Sequence, residues 1–282
     1  QHAFGNPSSA HAFGREVRAK IERSRRSIAK WLNVSPSEII FTSGGTEADN
    51  MILRCSVRDL GVKTIITSKI EHHAVLHTVE ELEHELDIAL HFVDLDEYGN
   101  PDLDHLEKLL QQDDSKKLVS LMHVNNEIGN KIDIDAICRL CKENEALIHS
   151  DTVQSIGHYA WNVQETPIDF MAAAAHKFHG PKGVGFIYIN GDSMIKPYID
   201  GGSQERNMRG GTENFYGIVG IAKALEMAIE DMENRRNHIE QLRQYLKDQL
   251  TQNFEDIQFN GCQENYLYTV LSVSFPPHPK AD

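Results

Sequence analysis

Lys177 follows the almost wholly apolar run Phe170-Met-Ala-Ala-Ala-Ala175, with His176 between them and the turn His179-Gly-Pro-Lys-Gly183 just beyond. Desolvation at such a strand end disfavours the ammonium form, which is what a Schiff-base lysine needs. The same place also suits a lysine whose stem carries its charge out to solvent. Asp151 stands just past a second apolar run, Ala146-Leu-Ile-His149. A carboxylate at the bottom of a crevice can hold a ring nitrogen protonated and so keep a pyridinium cofactor an electron sink. It can equally cap whatever follows Thr152. Gly44-Gly45-Thr46 offers backbone N–H groups freed by two glycines, a hydroxyl and a helix dipole, the parts of a phosphate seat. The plainer alternative is a helix cap at Thr46 with Asp49 as its N3 residue. His73 and His77 share one helix face and could ligate a metal, but no Glu follows His73 in H-E-x-x-H order. The imidazole of His72 could instead stack on a planar cofactor ring.

These residues need elements that bring them together. Strand-like runs cover residues 38–42, 64–67, 90–94, 118–124, 146–149, 170–173 and 184–189. Helix-like stretches alternate with them at 46–59, 73–86, 103–112 and 133–144, after an opening helix over about 9–32. Such alternation predicts an α/β fold with crossover connections and a mostly parallel sheet flanked by helices. Ligands of such sheets sit outside the carboxyl ends of the strands. Those ends carry Ser43-Gly-Gly-Thr-Glu47, Ser68-Lys-Ile-Glu-His-His73, Asn125-Asn-Glu127, Ser150-Asp-Thr-Val-Gln154 and Ala175-His-Lys-Phe-His179. A long helix over about 213–250 is expected to bend near Glu233-Asn-Arg-Arg236. Residues 1–233 are expected to form the large domain. Residues 234–282, with two short strand-like runs and Pro276-Pro277-His-Pro279, read as the start of a smaller domain that is cut short.

The 282 residues carry a formal net charge of −14, which argues against a nucleic-acid partner, because a phosphate backbone needs a basic face. No apolar run approaches the roughly 18 residues of a membrane-spanning helix. The chain opens Gln1-His2-Ala3, without a basic n-region or apolar h-region, so an intracellular, cytoplasmic location is expected. The four cysteines at 55, 138, 141 and 262 do not make a disulfide framework at this length. Cys138 and Cys141 form a single C-x-x-C within a helical period, which without a second pair is weak evidence for zinc. Gly-Pro-Lys-Gly lacks P-loop spacing, so nucleotide hydrolysis has little support.

In order along the chain stand Phe-Gly-Asn-Pro-Ser-Ser-x-His, Gly-Gly-Thr-Glu-x-x-Asn, Glu-His-His-Ala-Val and His-Val-Asn-Asn-Glu-Ile-Gly. After them come His-x-Asp-x-x-Gln-Ser, Ala-His-Lys-Phe-His-Gly-Pro-Lys-Gly and Gly-Gly-Ser-Gln-Glu-Arg-x-x-Arg-x-Gly-Thr. From Phe4 to Ser274 the chain resembles the NifS/IscS-type cysteine desulfurases, pyridoxal-phosphate enzymes of the class V aminotransferase group with fold type I. The resemblance implies that Lys177 bears the cofactor and shuttles a proton. Asp151 would pair with the pyridine nitrogen, Gln154 would hydrogen-bond the ring oxygen, and His72 would stack on the ring. Asn126 would lie near the ring oxygen and the substrate carboxylate. Gly45, Thr46 and His176 would hold the phosphate, and Thr212 would reach the phosphate of a neighbouring subunit, which implies a homodimer. The implied reaction converts L-cysteine to L-alanine and passes sulfur, as an enzyme persulfide, toward iron–sulfur cluster or thio-cofactor synthesis through an acceptor or scaffold protein. No metal is implied.

Three departures stand beside the resemblance. Ala174 takes the place of the family's usual phosphate-binding serine, and the family's opening Ala-Thr-Thr segment is missing. The family's loop cysteine, in a Ser-Gly-Ser-Ala-Cys-like setting, and the arginine that clamps the substrate carboxylate are expected beyond Asp282. None of the four cysteines present has that context. Selenocysteine lyase on the same scaffold, and a truncated, non-catalytic homologue acting as a binding scaffold, are the alternatives. A metal-dependent hydrolase built on His72, His73 and His77 is more distant.

Overall fold

The computed structural model describes residues 4–193 and 195–277; Gln1-His2-Ala3 and Pro279 lie outside them. Seven strands form one sheet: β1 (Ile39–Thr42), β2 (Thr64–Thr67), β3 (Ala89–Phe92), β4 (Lys117–Ser120), β5 (Leu147–Asp151), β6 (Phe170–Ala174) and β7 (Gly185–Ile189). Their spatial order is β1-β7-β6-β5-β4-β2-β3. β7 alone runs antiparallel, pairing with both β6 and β1, so β1 runs in the same sense as the other five. Every run read as a strand is one. The fourth ends early, because beyond Ser120 the backbone leaves the ladder while Leu121 and His123 still donate to the carbonyls of His149 and Asp151.

Helices cover both faces, and the strands alternate accordingly. Phe41, Ile66, Val119, Ile148, Met171, Ala173, Phe186 and Tyr188 share a core with α1 (Ala12–Leu32), α4 (Leu103–Leu110), α5 (Ile134–Glu143) and α6 (Phe215–Glu230). Ile40, Ile65, Leu118, Phe170, Ala172, Ile187 and Ile189 point the other way, toward α2 (Gly45–Leu60) and α3 (His73–Glu85). Each fully buried Ile, Leu or Phe contributes about 1.5–3 kcal/mol, which fixes the register, since a one-residue slip would reverse the faces.

The helix ends follow local chemistry. In α1, Val17, Ile21, Ile28 and Leu32 repeat on one face, His11 caps the N-terminus by accepting from Gly14 N, and Asn33 ends the helix in the left-handed region at φ 58°. The bend expected near residues 233–236 falls at Asp231, between α6 and α7 (Met232–Asn253). No residue of α7 is buried. Two short strands, β8 (Gln258–Phe259) and β9 (Val273–Ser274), pair apart from the main sheet. The segment between them returns to the body: Leu267 N donates to Gly129 O, Lys131 N donates to Asn265 O, and Leu267 and Tyr268 are buried against Val124. None of the four cysteines is in a disulfide. Among the described residues, no helix is long and apolar enough to cross a membrane.

Candidate active site

The parallel strands end on one edge of the sheet, and the loops after β1, β2, β4, β5 and β6 meet there around a cavity of about 200 Å³. Gly45, Thr46, His72, Asn126, Asp151, Gln154, His176 and Lys177 all line it, as do Asp49, Met122, Val153 and Ala174. A larger cavity of about 360 Å³, between the start of α5, Trp161 and Asn265, holds His123 of the His-Val-Asn-Asn-Glu-Ile-Gly motif but none of the residues to which the resemblance gives a role. Burial pushes its His123 down to about 3, so that histidine is neutral. The smaller cavity is the candidate site, because polar groups from the loops after five strands, titratable ones from four of them, converge there.

Asp151 is the last residue of β5. It is buried, and one carboxylate oxygen accepts from Val153 N at 2.8 Å. Burial first, and the neighbouring Asp49 second, push its carboxyl up to about 7. A cation placed beside it would draw that value back down.

The phosphate-seat segment differs from the plain-cap alternative. α2 begins at Gly45, its cap residue Gly44 supplies no side-chain hydrogen bond, and Thr46 lies inside the first turn. The first N–H groups of a 16-residue helix are thus left for an anion. Ser43 N instead donates to Glu47 at 2.8 Å, and Arg209 Nε grips the same carboxylate at 2.8 Å. Burial opposes ionisation of Glu47, yet the hydrogen bonds from Arg209 and Ser43 hold its carboxyl below the usual range.

Lys177 occupies a short 3-10 turn, Ala175–Phe178, immediately after β6. Its side chain is exposed rather than sequestered, which corrects the expectation of a lysine desolvated by the apolar run before it: the run is the strand interior, and the turn lifts Lys177 to the rim. Its backbone carbonyl accepts from Nε2 of buried His158 at 3.1 Å. His176, also exposed, is held below the usual histidine range by partial burial and by Lys177 and Lys182.

His72 is the N-cap of α3, where its Nδ1 accepts from Ala74 N at 3.1 Å. The rings of His73 and His77 stack at 4.8 Å and 8°, but neither lines the cavity. Among the described residues, no group of three or more His, Cys, Asp or Glu side chains is arranged to hold a metal. Asn126 is presented by a turn that Asn125 builds, accepting from Glu127 N and Ile128 N and donating to Ile70 O. Thr212 is outside the cavity; it is exposed in a separate cleft of about 130 Å³ with Ser43 and Arg209.

The family model for class-V aminotransferases matches residues 1–282. The chain belongs to the class-V aminotransferase family. It is 44% identical over 274 residues to cysteine desulfurase IscS of Dictyoglomus turgidum, covering 96% of this chain and 69% of that one. It is 40% identical over 278 residues to putative cysteine desulfurase IscS 1 of Bacillus subtilis, covering 97% and 72%. Among solved structures, a NifS-like protein superimposes with a TM-score of 0.93 at 41% identity, covering 98% of this chain and 75% of that one. The fold is therefore fold type I, with its mostly parallel sheet between helices.

Several residues of this class-V aminotransferase site were given no role from the sequence, although His149 and Glu71 stand within the motifs quoted above. Asp49 and His149 face one another beneath Asp151, and Glu71 lies buried beside them, accepting from Met122 N. The signal for the Asp49–His149 pairing was position: a polar residue on the core side of α2, and a histidine two before Asp151 on the same strand face.

Proposed function

We propose that this chain is a pyridoxal-phosphate-dependent cysteine desulfurase. One observation carries the reading: a lysine, a buried carboxylate and an uncapped helix N-terminus line a single cavity at the strand ends. These residues fit the cofactor. The open start of α2 with Gly45, Thr46 and His176 suits its phosphate, and Asp151, raised by burial, suits a protonated ring nitrogen. Gln154 and Asn126 would meet the ring oxygen, and His72 would cover the ring. When bound, pyridoxal phosphate supplies an electron sink for the pair left after α-proton removal.

The chain's own groups do the rest. Lys177, at the rim and free to move, takes the proton from the α-carbon of L-cysteine. Asp151 keeps its proton partner in place, and Asn126 orients the carboxylate. Sulfur must then pass to a thiolate, because the thiolate is the nucleophilic form. Cys55, Cys138 and Cys141 are buried, and burial pushes the first two thiols up to about 11 and about 12. Neither they nor Cys262 line the cavity, so the persulfide is assigned to none of them.

The same reading divides the chain into a cofactor domain, 1–233, and the start of a smaller domain, 234–282; α7, of which no residue is buried, and the separate β8–β9 pair support it. It includes a homodimer, supported by Thr212 standing exposed outside its own chain's cavity. It also includes a cytoplasmic location, and a sulfur acceptor or iron–sulfur scaffold as partner.

The test is the absorption spectrum after reconstitution with pyridoxal phosphate. The expected result is a visible band of lysine-bound cofactor that shifts on adding L-cysteine and is absent from Lys177→Ala. A chain that shows no band after reconstitution would overturn the reading.

A further inference from the structure

Asp49 on α2, His149 on β5 and Ser120 on β4 form a buried row beneath the cavity, at 1%, 0% and 0% exposure. Oδ1 of Asp49 and Nε2 of His149 stand 3.4 Å apart, and neither atom has a hydrogen-bond partner. Nδ1 of His149 meets Ser120 Oγ at 2.9 Å. Two unsatisfied atoms facing each other in a dry interior are costly, and one proton between them satisfies both. Either way of sharing that proton needs the two atoms to close by a few tenths of an ångström from 3.4 Å, and the burial of both groups beside two further carboxylates, Asp151 and Glu71, decides between them.

We propose that Asp49 is a positioning residue: it hydrogen-bonds, as the neutral acid, to Nε2 of His149 and so leaves Asp151 the one carboxylate charge lining the cavity. The inference rests on the reading of Asp151 as partner of the cofactor's ring nitrogen. The surroundings agree from every side. Burial pushes Asp49 up to about 8 and His149 down to about 4, so both are neutral near pH 7. Asp151, on β5, and Glu71, in the loop after β2, add repulsion against a charged Asp49, while His72 lies beyond Asp151. With Asp49 neutral, His149 takes the Nδ1–H tautomer and donates to Ser120. Asp49 and Asp151 both line the cavity, and two uncompensated carboxylates there would repel one another in low dielectric. Protonating Asp49 removes that repulsion and lets Asp151 ionise when a cation arrives.

Infrared spectra of the full chain without cofactor, at pH 7 and with aspartate carrying carbon-13 in its carboxyl, test this. The expected result is a protonated-carboxyl C=O band that moves with the label and loses much of its intensity in Asp49→Asn, with Asp151, raised to about 7 in the cofactor-free chain, supplying the remainder. The band persists in Asp151→Asn and in Asp169→Asn, the latter removing the other aspartate that burial raises. Absence of a label-sensitive band in the wild-type chain overturns the proposal. So does an undiminished band in folded Asp49→Asn, or loss of the band from either of the other two variants. If Asp49→Asn does not fold, the double variant Asp151→Asn with Asp169→Asn decides: the label-sensitive band must persist there, and its loss overturns the proposal. None of these spectra needs bound pyridoxal phosphate or turnover of cysteine, so failure of the desulfurase reading would show separately, as a missing visible band.

Discussion

The backbone carbonyl of Lys177 accepts a hydrogen bond from His158 Nε2 at 3.1 Å. The other ring nitrogen, Nδ1, meets the hydroxyl of Tyr268 at 2.9 Å. Burial holds His158 below the usual histidine range, so the ring is neutral. With Nε2 donating, Nδ1 must accept, and Tyr268 is the donor. A residue from near the end of the described chain thus steadies the turn that presents the lysine. Tyr268→Phe is expected to cost about 1 kcal/mol in urea unfolding and to slow uptake of pyridoxal phosphate, followed by its visible band. Lost stability with an unchanged uptake rate would reduce the contact to packing.

Asp151 makes the cofactor-free chain sensitive to pH. Its folded value, about 7, lies above the ordinary aspartate value of 3.8, so the folded state clings to a proton that the unfolded state releases. The stabilisation from that proton is present in full below about pH 4 and is lost as pH rises through about 7. The buried histidines act in the opposite sense, so the comparison must be with Asp151→Asn. The variant is expected to show a smaller fall in melting temperature between pH 5 and pH 8 than the wild type. Bound pyridoxal phosphate should also shrink that fall in the wild type. Identical pH profiles for wild type and variant would contradict the raised carboxyl.

Ala174 ends β6, buried and lining the cavity close to the start of α2. The resemblance to the desulfurases implies a phosphate-binding serine at this position in the family. A hydroxyl at this position would donate to an anion in a nearly dry site, a charge-assisted bond worth about 1.5–3 kcal/mol. Ala174→Ser should therefore bind pyridoxal phosphate about tenfold to a hundredfold more tightly, measured by fluorescence or absorption titration. Unchanged affinity would mean that the phosphate lies elsewhere than the start of α2.

The strands were legible because each is a short apolar run bounded by polar loops, and all but the half-buried edge strand β3 are buried on both faces. The site followed because parallel strands deliver their ends to one edge. What was not legible depends on distant partners. Nothing local marks β7 as antiparallel; its direction follows from the tight turn that returns the chain from Phe178 to Gly185. Thr46 reads as a cap, but the helix starts at Gly45 because Ser43 and Arg209 already hold Glu47. Asp49 reads as the N3 residue of that cap, whereas it turns inward toward a histidine one hundred positions away. The return of Tyr268 to His158, 110 residues apart, leaves no pattern in either segment.

Arg25 and Glu205 form a bidentate ion pair, at 2.7 and 2.8 Å, with side chains only 2% and 3% exposed. Phe41 N also donates to Glu205, and the guanidinium lies over the Phe41 ring at 4.7 Å. Glu205, Arg206 and Asn207 all adopt left-handed backbone, at φ 42°, 56° and 63°, a costly run for residues other than glycine. The pair therefore ties a strained loop, which leads on to Arg209 and Thr212, against α1 and β1. Arg25→Met leaves a buried carboxylate without its partner and is expected to cost about 3–5 kcal/mol. Adding Glu205→Gln removes the stranded charge and should recover part of that loss, because a neutral amide still accepts from Phe41 N. Urea unfolding of the two single variants and the double variant measures the coupling. A double variant as unstable as the sum of the singles would show that the two side chains act independently, and that the loop is held by something else.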